Sequence, residues 1–206
     1  MCWETAYEQW LNAPALSQQE QEELRAIQKD KMELRERFCA PLAFGTAGLR
    51  GTMKVGLHHM NVHVVRWVTQ GFAEVICAES DWAGDRKAAV CMDGRKNSRR
   101  FAEAAAEVLA ANGITVYLFD GPRPTPELSF AVRAYGCLAG INITASHNPK
   151  EYNGYKAYWC DGAQLQTETA MAVSARLEEI DVFAGPKRMD LQRGIELGRI
   201  CLLGRS

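Results

Sequence analysis

Apolar residues along the chain fall into two patterns, helical spacing and short continuous runs. Trp3, Tyr7 and Trp10 recur at intervals of three and four and predict a short helix that ends at Asn12-Ala13-Pro14. Ser17-Gln18-Gln19-Glu20 has the spacing of a capping box, so a helix is expected to follow it. Leu24, Ile27, Leu34 and Phe38 extend the helical spacing as far as Pro41, which predicts one continuous second helix. The two helices form an N-terminal arm, residues 1–42, packed on the body. Residues 44–51 are Gly-rich and too irregular for a helix. Asn61 is placed to cap a helix with Val65, Val68, Phe72 and Ile76 on one face.

Asp81 to Lys87 is a polar turn, and Ala88-Ala89-Val90-Cys91-Met92 reads as a buried strand that stops at Asp93-Gly94. An Ala-rich helix from Phe101 to Ala111 is closed by Asn112-Gly113. Ile114 to Phe119 is a strand. Pro122, Pro124 and Pro126 stiffen a loop that leads into a helix from Thr125 to about Tyr135, ended by Gly136, and Leu138 to Thr144 is a third buried strand. Strands that alternate with helices imply a largely parallel sheet covered on both faces. After Pro149, the extended aromatic run Tyr155 to Trp159 and the Asp161-Gly162 turn suggest a hairpin strand added at the sheet edge. A last helix is expected from about Thr167 to Ile180. The fold class that follows is three-layer α/β/α with a mostly parallel mixed sheet, one edge hairpin strand and the helical arm. The α/β/α unit is expected over 43–190. Residues 191–206, with apolar Ile195, Leu197, Ile200, Leu202 and Leu203, read as the start of a linker or next domain of a longer protein, leaving exposed apolar surface.

The 206 residues suit one domain with a sizeable core, and 47% hydrophobic with 24% charged residues is ordinary for a globular chain. Lys+Arg 24 against Asp+Glu 25 leaves a formal charge of -1, with no global attraction to nucleic acid or anionic membrane. No apolar run approaches the roughly 20 residues that span a bilayer, and the N-terminus does not read as a secretory signal. The seven cysteines are scattered and never form Cys-x-x-Cys, as expected of reduced thiols in a cytoplasmic protein.

Thr144-Ala145-Ser146-His147-Asn148-Pro149 directly follows the third strand. In open α/β sheets ligands bind beyond the carboxyl ends of strands. The loop offers a hydroxyl, an imidazole and an amide in succession, and a serine there can carry a phosphoryl group; the same residue types also build an ordinary turn. Asn153-Gly154 favours a tight turn that would bring Lys156 back beside the loop, where an ammonium stabilises phosphoryl charge; a solvated strand-end lysine is the commoner case. Gly45-Thr46-Ala47-Gly48-Leu49-Arg50-Gly51 has three glycines and an arginine fork matched to phosphate oxygens. It is neither a Walker A loop nor Gly-x-Gly-x-x-Gly, so nucleotide binding has no support. Asp93 to Arg100 is basic and lies at a strand end; it suits an anion site, or Ser98 caps the next helix. His58, His59 and His63 lack a His-Glu-x-x-His carboxylate, and no Gly-x-Ser-x-Gly elbow is present, which disfavours zinc and Ser-His-Asp hydrolysis.

Together Phe44-Gly-Thr-Ala-Gly-Leu-Arg-Gly51, Thr144-Ala-Ser-His-Asn-Pro149 and Asn153-Gly-Tyr-Lys156 resemble the α-D-phosphohexomutase superfamily of phosphoglucomutases and phosphomannomutases. The arm, Arg123 to Arg133 and Tyr152 to Trp159 look most like the phosphoglucomutase/phosphopentomutase branch. The resemblance implies an isomerase, an intramolecular phosphotransferase that interconverts sugar 1- and 6-phosphates (or 5-phosphates of pentoses). It implies Ser146 as phosphoserine, with His147, Lys156 and Arg50 in the catalytic group and Thr46, Asn148 and Asn153 binding substrate or phosphate. It further implies a sugar bisphosphate as intermediate and activator. The family's Mg2+ is held by the phosphoserine, here Ser146, and by an Asp-x-Asp-x-Asp loop of a second domain. That motif does not occur in this sequence, so the chain resembles only the first of four domains. Its implied partners are the phosphosugar substrate and the remaining mutase domains, in the cytoplasm, without nucleic acid or membrane, and activity of these residues alone is not expected. The alternative is a non-catalytic regulatory, interaction or sugar-phosphate-binding protein that retains the fold.

Overall fold

The computed structural model describes residues 2–204. The arm forms α1 (Trp3–Leu11), α2 (Gln18–Ala26) and α3 (Lys31–Phe38). Ser17 and Glu20 make the reciprocal capping box that starts α2. The expected continuous second helix is broken. It ends at Ile27, and the Asp30 carboxylate accepts the backbone N–H groups of Met32 and Glu33 to begin a new helix. The new cap at Asp30 outweighs the unbroken apolar spacing.

The body follows as β1 (Leu49–Thr52), α4 (Val62–Ala78), β2 (Lys87–Met92), α5 (Ser98–Ala111), β3 (Thr115–Phe119), α6 (Thr125–Ala134), β4 (Ala139–Ile143), β5 (Tyr152–Trp159), α7 (Thr167–Glu179), α8 (Leu191–Glu196) and β6 (Ile200–Leu203). The sheet order is β1-β5-β4-β2-β3-β6. Strands β4, β2, β3 and β6 run parallel, while β5 is antiparallel to both β4 and β1. The three-layer α/β/α class therefore stands, with three corrections. The hairpin strand β5 is not the edge, because the Gly-rich segment supplies β1 outside it. Asn153-Gly154 is not a turn but lies inside β5, opposite Gly51 and Arg50. Residues 191–203 do not leave the sheet: α8 packs beside α5, and β6 pairs with β3 from Val116↔Ile200 to Phe119↔Leu203. Ile200 is buried by that pairing, while Leu197 and Leu202 stay half exposed.

The period-two alternation of the strands sorts the core. Val90, Ile141, Ile143, Tyr155 and Ala157 face α4, α5 and α7 with the arm, and Ala89, Cys91 and Tyr158 face α6. The arm is tied down by polar as well as apolar contacts. Trp10 stacks edge-on to Phe38, His63 and Phe183. Arg37 is buried and bonds Glu23, Glu33 and the Val55 carbonyl. His59 bridges Thr52 and Glu36, and His63 meets Glu20, so two of the histidines considered for metal join the arm to the body. The contacts of Arg37 with Val55 and of His59 with Thr52 and Glu36 fix the segment just after β1, the strand that carries Arg50.

Candidate functional site

The site forms where β4 ends and the chain turns back into β5. The turn is made by Ala145 to Tyr152: Asn148 N–H bonds the Ala145 carbonyl at 3.1 Å, and Tyr152 N–H bonds the Pro149 carbonyl at 3.0 Å. Ser146 is exposed, and its φ of 56° places it in the left-handed region. Only Asn97 and Ser146 among the described non-glycine residues have positive φ. Such a backbone costs a residue with a Cβ about 1–2 kcal/mol, so its surroundings must hold it there. The Thr144 hydroxyl does part of that by accepting the Ser146 N–H at 3.0 Å.

Sheet register sets Arg50 and Lys156 on the strands beside this loop. Arg50 lies directly opposite Gly154 in the β1–β5 ladder, and Lys156 is two residues further along β5 on the same face. A side chain at Gly154 would stand 2.6 Å from the Thr144 carbonyl and 3.0 Å from Arg50 Cγ. The bare glycine thus lets β1, β5 and the start of the serine loop converge. Gly48 serves the same closure: its φ is +75°, and a Cβ there would lie 1.8 Å from the Tyr155 carbonyl. Burial, and after it the Arg50 guanidinium, lower the Lys156 ammonium below the usual lysine range. Two cations on one face, neither in an ion pair among the described residues, make a place for an anion.

Other candidates are placed differently. Thr46 sits exposed in the turn closed by the Gly45–Gly48 bridge, and His147 is exposed beside Ser146. Asn148 is half-buried, with an Oδ1 that meets no donor. Asn153, expected to bind phosphate, is instead fully buried. Its Nδ2 donates to the Lys96 carbonyl and Ser98 Oγ, and its Oδ1 accepts the Gly154 N–H. Ser98 does not cap α5; its hydroxyl donates to Asp93 at 2.7 Å. A cavity of about 870 Å³ flanks the loop, lined by Lys54, Lys96, Asn148 and Lys150 among others. Ser146, Arg50 and Lys156 are not among its lining residues.

The family model for the alpha/beta/alpha domain I of phosphoglucomutase/phosphomannomutase matches residues 41–183, well over half of the chain. This chain belongs to the phosphoglucomutase/phosphomannomutase family. It is 44% identical over 153 residues to a phosphoglucomutase of Staphylococcus aureus (strain USA300), covering 74% of this chain and 27% of that protein. The chain therefore spans about a quarter of the length of the curated relatives it matches. Among solved structures, a Thermus thermophilus protein provisionally assigned as a phosphomannomutase superposes with a TM-score of 0.62 at 33% identity, over 74% of this chain and 34% of that one. A phosphoglucomutase/phosphomannomutase family protein from Burkholderia thailandensis shares the fold, with a TM-score of 0.57 at 23% identity over 80% of this chain and 33% of that one.

Two features of this family domain escaped the motif reading. Arg95 and Asp93 lie under the serine loop, and Arg95 contacts it directly, although Asp93 to Arg100 read only as a basic segment. Asn142 lies opposite Lys156 in the β4–β5 ladder, is 1% exposed, donates to Thr125 Oγ1 at 2.8 Å, and has an unpartnered Oδ1. A buried amide in the otherwise apolar run Leu138 to Ile143 was the available signal, since buried polar groups need a reason. Among the described residues no three His, Cys, Asp or Glu side chains are grouped so as to hold a metal ion. Magnesium prefers an octahedron of oxygen ligands including one or two carboxylates, with substrate phosphates and waters supplying the rest. Nor is any described helix long and apolar enough to cross a membrane.

Proposed function

We propose that this chain is the phosphoserine-bearing domain of a phosphosugar mutase of the phosphoglucomutase type. Ser146 exchanges a phosphoryl group with sugar phosphates. A hydroxyl of a sugar monophosphate attacks the phosphorus of phosphoserine, the bond to Ser146 Oγ breaks, and Oγ regains a proton as the bisphosphate forms. In the reverse sense the Ser146 oxygen attacks the other phosphate of the bisphosphate, and the isomeric monophosphate leaves. The observation that carries this reading is an exposed, left-handed Ser146 just beyond the end of β4, with Arg50 and Lys156 on one face of the neighbouring strands β1 and β5. Phosphoryl transfer asks of a protein mainly position and neutralised charge, which an arginine fork and a lysine ammonium supply. Lys156, held below the usual lysine range by burial and then by Arg50, is the group suited to pass a proton to or from the bridging oxygen.

Sugar selection, the magnesium ligands other than the Ser146 phosphate, and enclosure of the bisphosphate fall to residues outside this chain. Incubating the chain with a sugar bisphosphate labelled in both phosphates, then mapping the label by peptide mass spectrometry, tests the proposal. Label on Ser146 that disappears in Ser146→Ala supports it. A wild-type Ser146 that stays bare, or label on another residue, sinks it.

A further inference from the structure

We propose that Arg95 is the positioning residue of the serine loop: its guanidinium gathers four loop carbonyls and so holds Ser146 in the left-handed backbone that exposes its hydroxyl. The four acceptors come from residues 146–152. Nη2 donates to the carbonyls of Ser146 at 2.8 Å and Asn148 at 2.7 Å, and Nη1 to those of Pro149 at 2.8 Å and Tyr152 at 3.2 Å. The two Nη nitrogens have four N–H groups, matching the four acceptors. On the far side of the fork, Nε faces the Asp93 carboxylate at 3.2 Å.

Asp93 is itself fixed. Its N–H bonds the Ile143 carbonyl at the end of β4, and its Oδ1 accepts the Arg95 N–H at 2.9 Å and the Ser98 hydroxyl at 2.7 Å. Ser98 Oγ in turn accepts from Asn153 at 3.0 Å. The chain of contacts runs from the end of β2 through the start of α5 to β5, and through Arg95 it reaches the turn that carries Ser146. This also accounts for the burial of Asn153.

The chemistry selects arginine. Four carbonyl oxygens aimed at one place repel one another unless a cation with several fixed donors lies between them. A lysine ammonium presents three donors from a single point and cannot serve carbonyls spread over residues 146 to 152 while reaching Asp93. Ser146 is thus held on both sides of its strained φ, by the Thr144 hydroxyl on its N–H and by Arg95 on its carbonyl. Arg95 spends its charge on the loop and not on the substrate, which sets it apart from Arg50 and Lys156.

The consequence for transfer rests on the proposed role of Ser146, so the test has two readouts. In the full chain, the ¹³Cα and ¹³Cβ shifts of Ser146 report the left-handed backbone. Single-turnover labelling by a sugar bisphosphate reports transfer. Arg95→Lys and Arg95→Met are expected to lose the left-handed signature and to slow labelling about 100-fold, the scale of a misplacement near 1 Å, with little change in the half-saturating bisphosphate concentration. Arg95→Ala is expected to recover both readouts in tens of millimolar guanidinium, and Arg95→Lys is not; if Arg95→Met fails to fold, Arg95→Lys carries the test. A retained left-handed signature, labelling at the wild-type rate, or no recovery with guanidinium overturns the proposal. A wild-type chain that takes no phosphoryl while the variants lose the signature refutes the phosphoserine reading and reduces Arg95 to a structural brace, which overturns its part in transfer.

Discussion

Replacing Gly154 with alanine strikes the point where β1, β5 and the serine loop come together. The added Cβ would lie 2.6 Å from the Thr144 carbonyl oxygen, 3.0 Å from the Leu49 carbonyl and 3.0 Å from Arg50 Cγ. Two of these neighbours are backbone atoms on flanking segments, so no side-chain rotation relieves the contact. To bring the 2.6 Å approach out to the 3.4 Å of ordinary van der Waals contact, the segments must part by about 0.8 Å. Overpacking of this kind costs about 1–3 kcal/mol. For a chain of this size each kcal/mol lowers the melting temperature by about 2–4 °C, so a drop of about 2–12 °C is expected. The functional loss is larger in proportion, because Arg50 and the loop bearing Ser146 are pushed apart, and a shift near 1 Å can cost about 100-fold in rate. Thermal unfolding and single-turnover labelling of Ser146 measure the two effects on one sample. A Gly154→Ala protein with wild-type melting and wild-type labelling would refute the claim that these groups converge over a bare glycine.

Lys156→Met removes the proposed proton-transfer group beside the loop; labelling should fall about 100-fold, in the range of such a loss, with the melting temperature nearly unchanged, as the same two assays would read. Ser146→Ala should abolish labelling while changing stability by no more than about 0.5 kcal/mol, since the exposed hydroxyl packs against no core group; denaturant titration checks this. Burial alone would raise the Glu20 carboxyl, but hydrogen bonds from His63 and Ser17 outweigh it and hold it at about 2 against an ordinary 4.5. A folded value below the unfolded one means stability that is complete above pH about 4.5 and lost as the pH falls toward about 2, so the urea midpoint should decline over that window in wild type and decline less in Glu20→Gln. Multiple turnover of glucose 1-phosphate by the 206 residues alone should stay below about 1 per second in a coupled assay, because the sugar positioning that falls to residues outside this chain, a contribution of about 7–11 kcal/mol, is missing, whereas a slow single transfer at Ser146 still registers as label; faster turnover would contradict this.

Local signals in the sequence were reliable where one residue decides one feature. The Ser17–Glu20 capping box, the Asn61 cap and the apolar strand runs all gave the elements they predict. Long-range pairing was less legible. Leu49 to Thr52 contains two polar residues and a glycine, so nothing local marks it as a strand; its extended form comes from the ladder with β5. Asn153-Gly154 has the composition of a turn, yet Asn153 is held inside β5 by Ser98 and the Lys96 carbonyl, partners over fifty residues away. Residues 191–203 read as a departure because their strand pairs with β3, some eighty residues earlier. At the site, Arg50, Ser146 and Lys156 were visible as types suited to phosphoryl chemistry, and the register brings the strands that carry them to one place. Arg95 was hidden beside Lys96, Arg99 and Arg100, since a guanidinium turned to carbonyls looks in sequence like one awaiting an anion.

The most direct measurement of the central claim is a chase. The chain is loaded with labelled phosphoryl from a sugar bisphosphate, freed of excess, and mixed with unlabelled sugar monophosphate. If Ser146 gives and takes phosphoryl groups, the label leaves Ser146 and appears in a sugar bisphosphate, faster than in buffer without the sugar. Label that stays on the protein, or that departs only as inorganic phosphate at the same rate with and without the sugar, would contradict the account.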